Sequence, residues 1–579
     1  MSAKEFTRLL DGLPQRSKPG RDGFPIQAKG VKLWIEGLPL ANAGATAKLL
    51  YNGLRELNAT EVDPGARIEI LELLRQPVLF VMAGMEKHVL NQSLPLPAQK
   101  RQIGQVIRDF HHELAVGYRI SVADLCAPRG AVPFLRGKYV GAALTRAATH
   151  LCGVMQKAYL CYAELPPGTL SALHAVMAYA VVSGTHDRLV PDPLYGNASY
   201  SPQIAYLQAM LLSIANPYRL TQKEMIELAE AARIWSWQCE LRFDGGGQGV
   251  FVIDPAADAP PGTRPLDGAF WRLETQRLVD NLRDQVTRAR GESRGLTMPL
   301  VQPKSRLGQG EALAADLLDR VLDAWGFSGE RGHPRMQGGH ELDSAIGMQA
   351  AHHCINNGQD FNGFAQLLLQ SGISLSDRER SGVWAQGNAE SARLSLLRVR
   401  VLDQSLGGYR IAWEHAETLR GRVGELVVLA PPMVADDDDE PRDWLLGILR
   451  WLKATRGDGL EAGVQLLARR AEAVALRTLS DDGRSSVLHR ALLLDPLDEG
   501  AAPELVVPAI VGSRAAGELL RGPDPYADQP AASITVLKDL KLIENSGGYL
   551  RFDLGRLLAP AADPQTAPAP ALEGAWPGS

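Results

Sequence analysis

Apolar residues in roughly the first 240 positions recur at the spacing of α-helices. One predicted helical face collects Ile103, Val106, Ile107, Phe110, Leu114 and Tyr118. Earlier in the chain, Asp63 and Pro64 supply a helix cap followed by a proline at the first helical position. The pattern predicts helices at about residues 66–90 and 99–118, inside a helical domain spanning residues 1–243.

The pattern becomes mixed after residue 243. A glycine-rich turn precedes a short apolar strand, and helical spacing returns at about residues 268–290 and 311–325. The polar segment 291–310 between these helices is predicted to be a linker. Further on, Asp343 is predicted to cap a helix that carries histidines at its edges. We therefore expect a mixed α/β middle region over residues 244–371.

From Arg378 onward the apolar residues alternate with a period of two, which is typical of strands. Turn residues separate the predicted strands at short intervals, as in an antiparallel barrel or sandwich. The predicted strands are Leu396–Leu402, Tyr409–Trp413, Glu425–Leu429, Leu445–Trp451, Ala462–Leu466, Leu505–Ile510, Ile534–Leu537 and Tyr549–Phe552. The chain ends in an Ala- and Pro-rich tail, residues 559–579, which we expect to be disordered.

One turn between two predicted strands carries polar residues in a recognisable order, Asp403-x-Ser405-x-x-Gly408. The order of strands and this motif resemble the PilZ-domain family over roughly residues 372–480. Members of that family bind cyclic-di-GMP on an antiparallel β-barrel. The resemblance implies that Asp403 and Ser405 contact the guanine, while Gly408 permits close approach of the ligand. Turn chemistry alone, an Asx-type turn between strands, is an alternative explanation of the same residues.

The family also carries an arginine pair, Arg-x-x-x-Arg, about two dozen residues before the aspartate. Near that distance this sequence has Arg378-Glu-Arg380 instead. The resemblance implies that Arg378 and Arg380 fork onto the phosphates of the ligand. Arg398 and Arg400, on the predicted strand itself, are the second candidates for this role. Alternatively, a barrel with an incomplete arginine pair would bind no nucleotide and serve only as a docking module.

Composition limits the possible functions of this chain of 579 residues. Its net charge of −5 gives no broad basic surface, so we expect neither DNA nor RNA as a partner. The five cysteines are odd in number and none has CxxC spacing, which favours a reducing compartment over a disulfide framework. No apolar signal core follows Met1, and no apolar run is long enough to span a membrane. We therefore expect a cytoplasmic protein without a membrane span.

Signatures of catalysis and of metal binding are missing from the sequence. We found no Gly-x-Ser-x-Gly elbow, no HExxH and no phosphate loop, and the signatures of cyclic-di-GMP synthesis or breakdown do not occur in their usual context. The histidines show no metal-ligand spacing. The sequence thus predicts no catalytic residue, no metal and no cofactor.

These observations predict an α+β multidomain protein, with a helical N-terminal module, a mixed middle region, a PilZ-like antiparallel β-barrel and a small β-rich region at residues 481–558. The predicted function is that of a bacterial cyclic-di-GMP effector or adaptor, not an enzyme. It would control motility, pili, exopolysaccharide or biofilm through an unidentified protein partner on the helical N-terminal region. The alternative is a PilZ scaffold that has lost its ligand, or a chaperone-like interaction protein.

Overall fold

A computed structural model describes most of the chain. The described residues are 2–21, 23–196, 198–292, 299–327, 334–388, 396–416, 418–433, 442–455, 459–479, 486–497, 501–512, 517–523, 531–537 and 540–555. Contacts divide the chain into two units. Unit 1 comprises Met1–Pro334, Ala412–Val423 and Arg450–Ala462, and unit 2 comprises Arg335–Ile411, Gly424–Leu449 and Gly463–Ser579. Because both units are discontinuous in sequence, the domain bounds given above, which follow chain order, stay predictions.

Helices dominate unit 1, as the apolar spacing predicted. They are α1 (Ser2–Leu10), α2 (Ala28–Glu36), α3 (Ala43–Asn58), α4 (Pro64–Glu86), α5 (Ala98–Cys126), α6 (Gly137–Leu160), α7 (Thr169–Val182), α8 (Pro202–Ile214), α9 (Gln222–Trp235), α10 (Gln276–Glu292) and α11 (Ala315–Trp325). The predicted helices at 66–90 and 99–118 are confirmed as α4 and α5, which pack against each other. The Asp63 carboxylate accepts hydrogen bonds from the amides of Gly65 and Ala66, as expected of an N-cap.

Short strands complete unit 1. They are β1 (Val190–Asp192), β2 (Ala198–Tyr200), β3 (Glu240–Arg242), β4 (Phe251–Ile253), β5 (Trp271–Glu274), β6 (Leu300–Val301), β7 (Lys304–Ser305), β8 (Gly308–Gln309) and β9 (Leu313–Ala314). The predicted linker at 291–310 is wrong for its described residues. β7 pairs with β8, and between them Leu307 is buried and accepts a hydrogen bond from Arg233. The segment therefore packs on the helices.

An antiparallel barrel forms the first sheet of the second half, which confirms the predicted fold. Its strands are β10 (Met336–Gln337), β11 (Glu341–Ile346), β12 (Leu397–Ser405), β13 (Gly408–Trp413), β14 (Leu426–Ala430), β15 (Leu445–Ala454) and β16 (Leu460–Ala468). The strand order is β10-β12-β11-β14-β15-β16-β13, and a further pairing of β12 with β13 closes the barrel. On β12, Val399 and Val401 are buried whereas Arg398 and Arg400 are exposed, as period-two alternation requires.

Three helices separate β11 from β12 in sequence: α12 (Met348–Ile355), α13 (Phe361–Gln370) and α14 (Asp377–Asn388). They correct two predictions. Asp343 is not a helix cap but a residue of β11, and the helix with the histidines begins after Gly347. Residues after Arg378 do not start a strand, because α14 covers them.

A second antiparallel sheet follows the barrel and is larger than the three strands predicted beyond residue 481. Its strands are β17 (Ala471–Leu479), β18 (Ser486–Leu494), β19 (Glu504–Pro508), β20 (Gly517–Arg521), β21 (Ser533–Leu537), β22 (Lys541–Asn545) and β23 (Tyr549–Asp553). They are ordered β21-β20-β17-β18-β19-β23-β22. Apolar residues of α13 and α14 pack against Ala475, Leu488 and Leu520 of this sheet. The predicted disordered tail, 559–579, lies outside the described residues. Among the described residues, no helix is long and apolar enough to cross a membrane.

Candidate functional site

The β12–β13 hairpin brings together three of the five predicted site residues. Asp403 and Ser405 lie at the end of β12, and Gly408 opens β13. The Ser405 hydroxyl lies 3.4 Å from the Gly408 carbonyl oxygen, to which it donates. The alternation that buries Val399 and Val401 ends here, so the polar side chains of the motif are collected at one end of the barrel wall.

Gly408 has a structural reason to be glycine. A Cβ atom at this position would lie 2.0 Å from the Val464 carbonyl oxygen on β16. That distance is far inside van der Waals contact, so any side chain would force the two strands apart. The Gly408 backbone thus approaches a neighbouring strand closely, and its close approach to a ligand stays a prediction.

Asp403 is paired with two arginines. Its Oδ1 accepts a hydrogen bond of 2.7 Å from Nη1 of Arg335, and its Oδ2 lies 3.8 Å from Nη1 of Arg410. The side chain of Arg335 is 49% exposed and that of Asp403 is 21% exposed. This arrangement presents cationic donors beside a carboxylate acceptor on a surface that solvent reaches. Such groups suit a ligand that carries both phosphates and a base with N–H donors.

Arg335 was missed by the sequence analysis, although a signal for it was present. The chain reads Arg331-Gly-His-Pro-Arg335, which has the Arg-x-x-x-Arg spacing of the PilZ family. Arg335 lies 68 residues before Asp403, whereas the family pattern places its arginine pair about two dozen residues before the aspartate. Helices α12–α14 account for much of that distance. Pairing of β10 with β12, in the register Gln337 opposite Asp403, brings the two motifs together. Arg331 itself lies outside the described residues.

Arg378 and Arg380 occupy a different place. Both are exposed on α14, and Arg380 pairs with Asp377 of the same helix. Between them, Glu379 is buried and accepts a hydrogen bond of 2.7 Å from Nε of Arg477 on β17. The buried glutamate turns its two neighbours toward solvent. Within the described part of the chain, neither arginine forms a hydrogen bond or an ion pair with Asp403.

The environment of Glu379 explains why α14 is fixed there. Burial alone would raise the pKa of Glu379. Hydrogen bonds from Ser376 and the attraction of Arg477 outweigh this effect and lower the pKa. The carboxylate also accepts from the Ser376 amide, while the Ser376 hydroxyl accepts from the Glu379 amide. This reciprocal capping box, Ser376-x-x-Glu379, begins the helix.

The second candidates on β12, Arg398 and Arg400, point to other partners. Arg398 donates from Nη1 to Glu341 and lies 3.0 Å through Nε from Asp343, both on β11. Arg442 also donates to Asp343 and stacks over the Trp444 ring, with 4.5 Å to the ring centroid. Arg400 faces Glu341 in the strand register and is exposed. These pairs link neighbouring strands of the barrel. Their side chains lie in a different row from the side chain of Asp403.

Metal ligation finds no support in the described residues, where no group of three or more His, Cys, Asp or Glu side chains could hold an ion. His352 is buried, with Nε2 3.3 Å from the Val474 carbonyl oxygen, and burial lowers its pKa to about 3. It is a neutral core residue. The cysteines described are all buried and free.

Family models of two domains of one receptor match this chain. The family model described as the N-terminal domain of the cyclic-di-GMP receptor FimW matches residues 29–245. The family model of the middle PilZ domain of FimW matches residues 250–390 and 370–473, which include Arg331, Arg335 and Asp403. A Pseudomonas aeruginosa protein named cyclic-di-GMP receptor FimW is 28% identical over 528 residues, and the match covers 83% of each chain. No solved structure matches the chain.

Two independent lines thus agree. Strands β11 to β16 close a six-stranded antiparallel barrel through the pairing of β12 with β13, and β10 is an additional strand paired with β12. The middle-domain model matches the residues that build this barrel. The aspartate motif lies at the end of that barrel, with an arginine from an Arg-x-x-x-Arg sequence bound to it. Residues 250–473 of this chain therefore form a domain of the PilZ family.

Proposed function

We propose that this protein is a cyclic-di-GMP receptor that acts as a signalling effector or adaptor. The observation that carries the proposal is the contact of Arg335 with Asp403, because it joins the two halves of the PilZ sequence signature at the end of the barrel. The similarity to a protein named as a cyclic-di-GMP receptor supports the same ligand.

The chemistry assigns a role to each residue. Asp403 would accept hydrogen bonds from the ring N–H and amino group of a guanine, and the Ser405 hydroxyl would form a hydrogen bond with the ligand beside it. Arg335, with Arg331 from the same sequence signature, would fork onto the phosphates and stack on the bases. Arg410, 3.8 Å from Asp403, would add positive charge beside the phosphates. Binding requires the Arg335 side chain to leave Asp403, and its half-exposed position leaves room for that movement.

The receptor would have no catalytic role. Its output would pass through a protein partner, and the helical region of unit 1 would supply the surface that the partner binds. Control of motility, pili, exopolysaccharide or biofilm is the process we propose. The predicted cytoplasmic location fits a receptor for an intracellular nucleotide.

Calorimetric titration of cyclic-di-GMP into the full-length protein tests the site. The variants are Arg335→Ala, Asp403→Ala and the double variant Arg378→Ala/Arg380→Ala, each checked for folding by circular dichroism. Truncating Asp403 leaves guanine donors unpaired, which we expect to cost about 1–3 kcal/mol, or roughly 5- to 150-fold in affinity. Arg335→Ala should cost at least as much, because a charge-assisted contact is lost.

The double variant Arg378→Ala/Arg380→Ala tests which arginines contact the ligand, Arg335 or the pair Arg378 and Arg380. On the geometry described above it should bind as the wild type does, because both arginines lie on α14. A large loss of affinity in this variant with none in Arg335→Ala would restore the assignment based on Arg378 and Arg380. Absence of binding by folded wild type at high micromolar nucleotide would favour the ligand-free scaffold.

A further inference from the structure

The loop between α5 and α6 exposes two large apolar side chains side by side. Phe134 is 99% exposed and Leu135 is 85% exposed. Scattered single apolar residues on a surface are ordinary, but an adjacent pair with almost no protein contact suggests a surface that is covered by something else. Tyr139, at the start of α6, is also exposed, which extends the apolar surface by an amphipathic ring.

This exposure is built into the loop, since both flanks of the pair are held. On one side, Gly130 has a positive φ of 72° and lies so close to α1 that a Cβ would be 2.5 Å from the Phe6 Cβ. The Gly130 carbonyl oxygen accepts a hydrogen bond of 3.0 Å from Tyr179 on α7. On the other side, the Arg136 amide donates to the Pro133 carbonyl oxygen, which closes a turn around Phe134 and Leu135. The turn projects the pair away from the helices.

Basic residues surround the pair. Arg129, Arg136 and Lys138 are all exposed, and the Arg136 guanidinium lies over the Tyr139 ring, 5.6 Å from its centroid. The sequence contains no Asp or Glu between Asp124 and Glu164.

Residues from other segments fit the same charge pattern. Arg188 adds a guanidinium group 3.9 Å from the point where a Cβ of Gly137 would lie. Two acidic residues lie near these basic residues. Asp63 caps α4, and Asp187 is exposed next to Arg188 in the sequence.

We propose that the α5–α6 loop is a peripheral membrane-binding site that inserts Phe134 and Leu135 among the acyl chains of an anionic phospholipid bilayer. An apolar tip, an aromatic ring at its edge and a collar of Arg and Lys match the layers of a bilayer surface: acyl chains, interface and anionic headgroups. A protein partner would need a pocket of complementary shape and acidic rim, whereas a bilayer accepts a protruding convex tip without one. The net charge of −5 belongs to the whole chain, so the attraction is local to this loop.

Vesicle co-sedimentation of the full-length protein, without nucleotide, tests the proposal. The probes are extruded vesicles of phosphatidylcholine alone and vesicles of phosphatidylcholine mixed with phosphatidylglycerol. One variant, Phe134→Ser/Leu135→Ser, removes the apolar tip, and another, Arg136→Gln/Lys138→Gln, removes two charges of the collar. Phe80→Ser is the control, because Phe80 is an exposed aromatic residue, 67% accessible, on the side of α4.

The wild type and Phe80→Ser should bind the mixed vesicles and bind pure phosphatidylcholine more weakly. Removal of the tip should lower partitioning about tenfold or more, because two apolar side chains lose their burial. Removal of the charges should lower binding to the mixed vesicles only, and added salt should reproduce that effect. Absence of wild-type binding to mixed vesicles, or equal binding by the tip variant, overturns the proposal. If the tip substitution instead changes the sedimentation coefficient, the loop is an interface between copies of the chain and the lipid proposal is likewise overturned.

Discussion

Arg335 donates a hydrogen bond of 2.7 Å to Asp403 across 68 residues of sequence. The contact depends on the register of β10 against β12, in which Gln337 faces Asp403. The helical segment α12–α14 lies between the two residues along the chain without separating them in space. The proximity of Arg335 and Asp403 therefore depends on strand pairing and not on their spacing in sequence.

Replacing Arg335 by lysine should weaken nucleotide binding although the charge is kept. Lysine presents a point charge and cannot fork onto a phosphate or stack on a base, so we expect a loss of about tenfold in affinity. Titration calorimetry at low and at high salt measures it. Arg378→Lys is the matched control on exposed α14 and should leave the affinity unchanged. Equal affinities for all three proteins would remove Arg335 from the site.

Gly408→Ala should destabilise the barrel independently of any ligand. The new Cβ would be forced onto the Val464 carbonyl oxygen, and overpacking of this kind costs about 1–3 kcal/mol. Gly382→Ala is the control, because a Cβ at Gly382 on α14 meets nothing within 4 Å. That change should stabilise the helix by roughly 0.5–1 kcal/mol. Urea unfolding of both variants without nucleotide measures these changes in stability. Equal unfolding midpoints for the two variants would contradict the packing argument.

Asp192 should be among the most sensitive carboxylates of unit 1. It is fully buried and accepts hydrogen bonds from Arg75 at 2.5 Å and from Arg146 at 2.8 Å. Glu72 also pairs with both guanidinium groups, at 3.0 Å from each, so Asp192→Asn should cost less than the roughly 3–5 kcal/mol of a fully uncompensated buried charge, but clearly more than a surface substitution. The exposed Asp187→Asn should change stability by less than about 0.5 kcal/mol. Hydrogen exchange of α4 and α6 would show whether the loss is local to these helices.

Acid should destabilise unit 1 through the buried pair of His111 and His150, whose Nδ1 atoms lie 3.1 Å apart. Burial, assisted by Lys157 and Arg75, lowers the pKa of His111 to about 3, and burial lowers that of His150 as well. Both histidines are neutral in the folded state at pH values where the unfolded chain takes up protons. Stability should therefore fall as the pH drops below about 6.5, by up to roughly 1.4 kcal/mol per pH unit for each histidine that stays neutral in the folded state, and for His111 this loss continues to about pH 3.

The variants His111→Gln and His150→Gln isolate this effect from the carboxylates, which also lose their charge in acid. Each should flatten the dependence of the unfolding free energy on pH between about 6.5 and 4, whatever its stability at neutral pH. His88→Gln serves as the control on a histidine outside the pair. An unchanged slope in both pair variants would show that the buried histidines do not govern the acid response.

The sequence was informative where the periodicity was long and uninterrupted. Helices α4 and α5 and strands β12 to β16 follow from their apolar residues. Strand β12 buries alternate residues at Val399 and Val401, whereas β14 is buried along its whole length. The hairpin with Asp403 and Ser405 followed from the same alternation. These local features carried the assignment to the PilZ family.

Other features needed tertiary information. Arg335 was not predicted because the family pattern places the arginines about two dozen residues before the aspartate, and only strand pairing shows that the helices α12–α14 leave Arg335 and Asp403 in contact. Glu379 is charged, so its burial was not expected, and its ion pair with Arg477 depends on a strand nearly a hundred residues later. The Ser376-x-x-Glu379 capping box was a local signal for α14 that went unused. Asp343, followed by Ser344, looked like a helix cap although it lies on β11.

Unit 1 includes parts of the chain that lie far beyond the helices in sequence. The Leu94 amide donates to the Gly421 carbonyl oxygen at 2.8 Å, and the Gly421 amide donates back at 2.9 Å. The Ala454 amide donates to the Tyr162 carbonyl oxygen at 2.8 Å. A protein truncated after residue 334 would strip these backbone groups of their partners and expose them to water. The helical region should thus be less soluble and more susceptible to proteases when expressed alone than when the gene is kept whole.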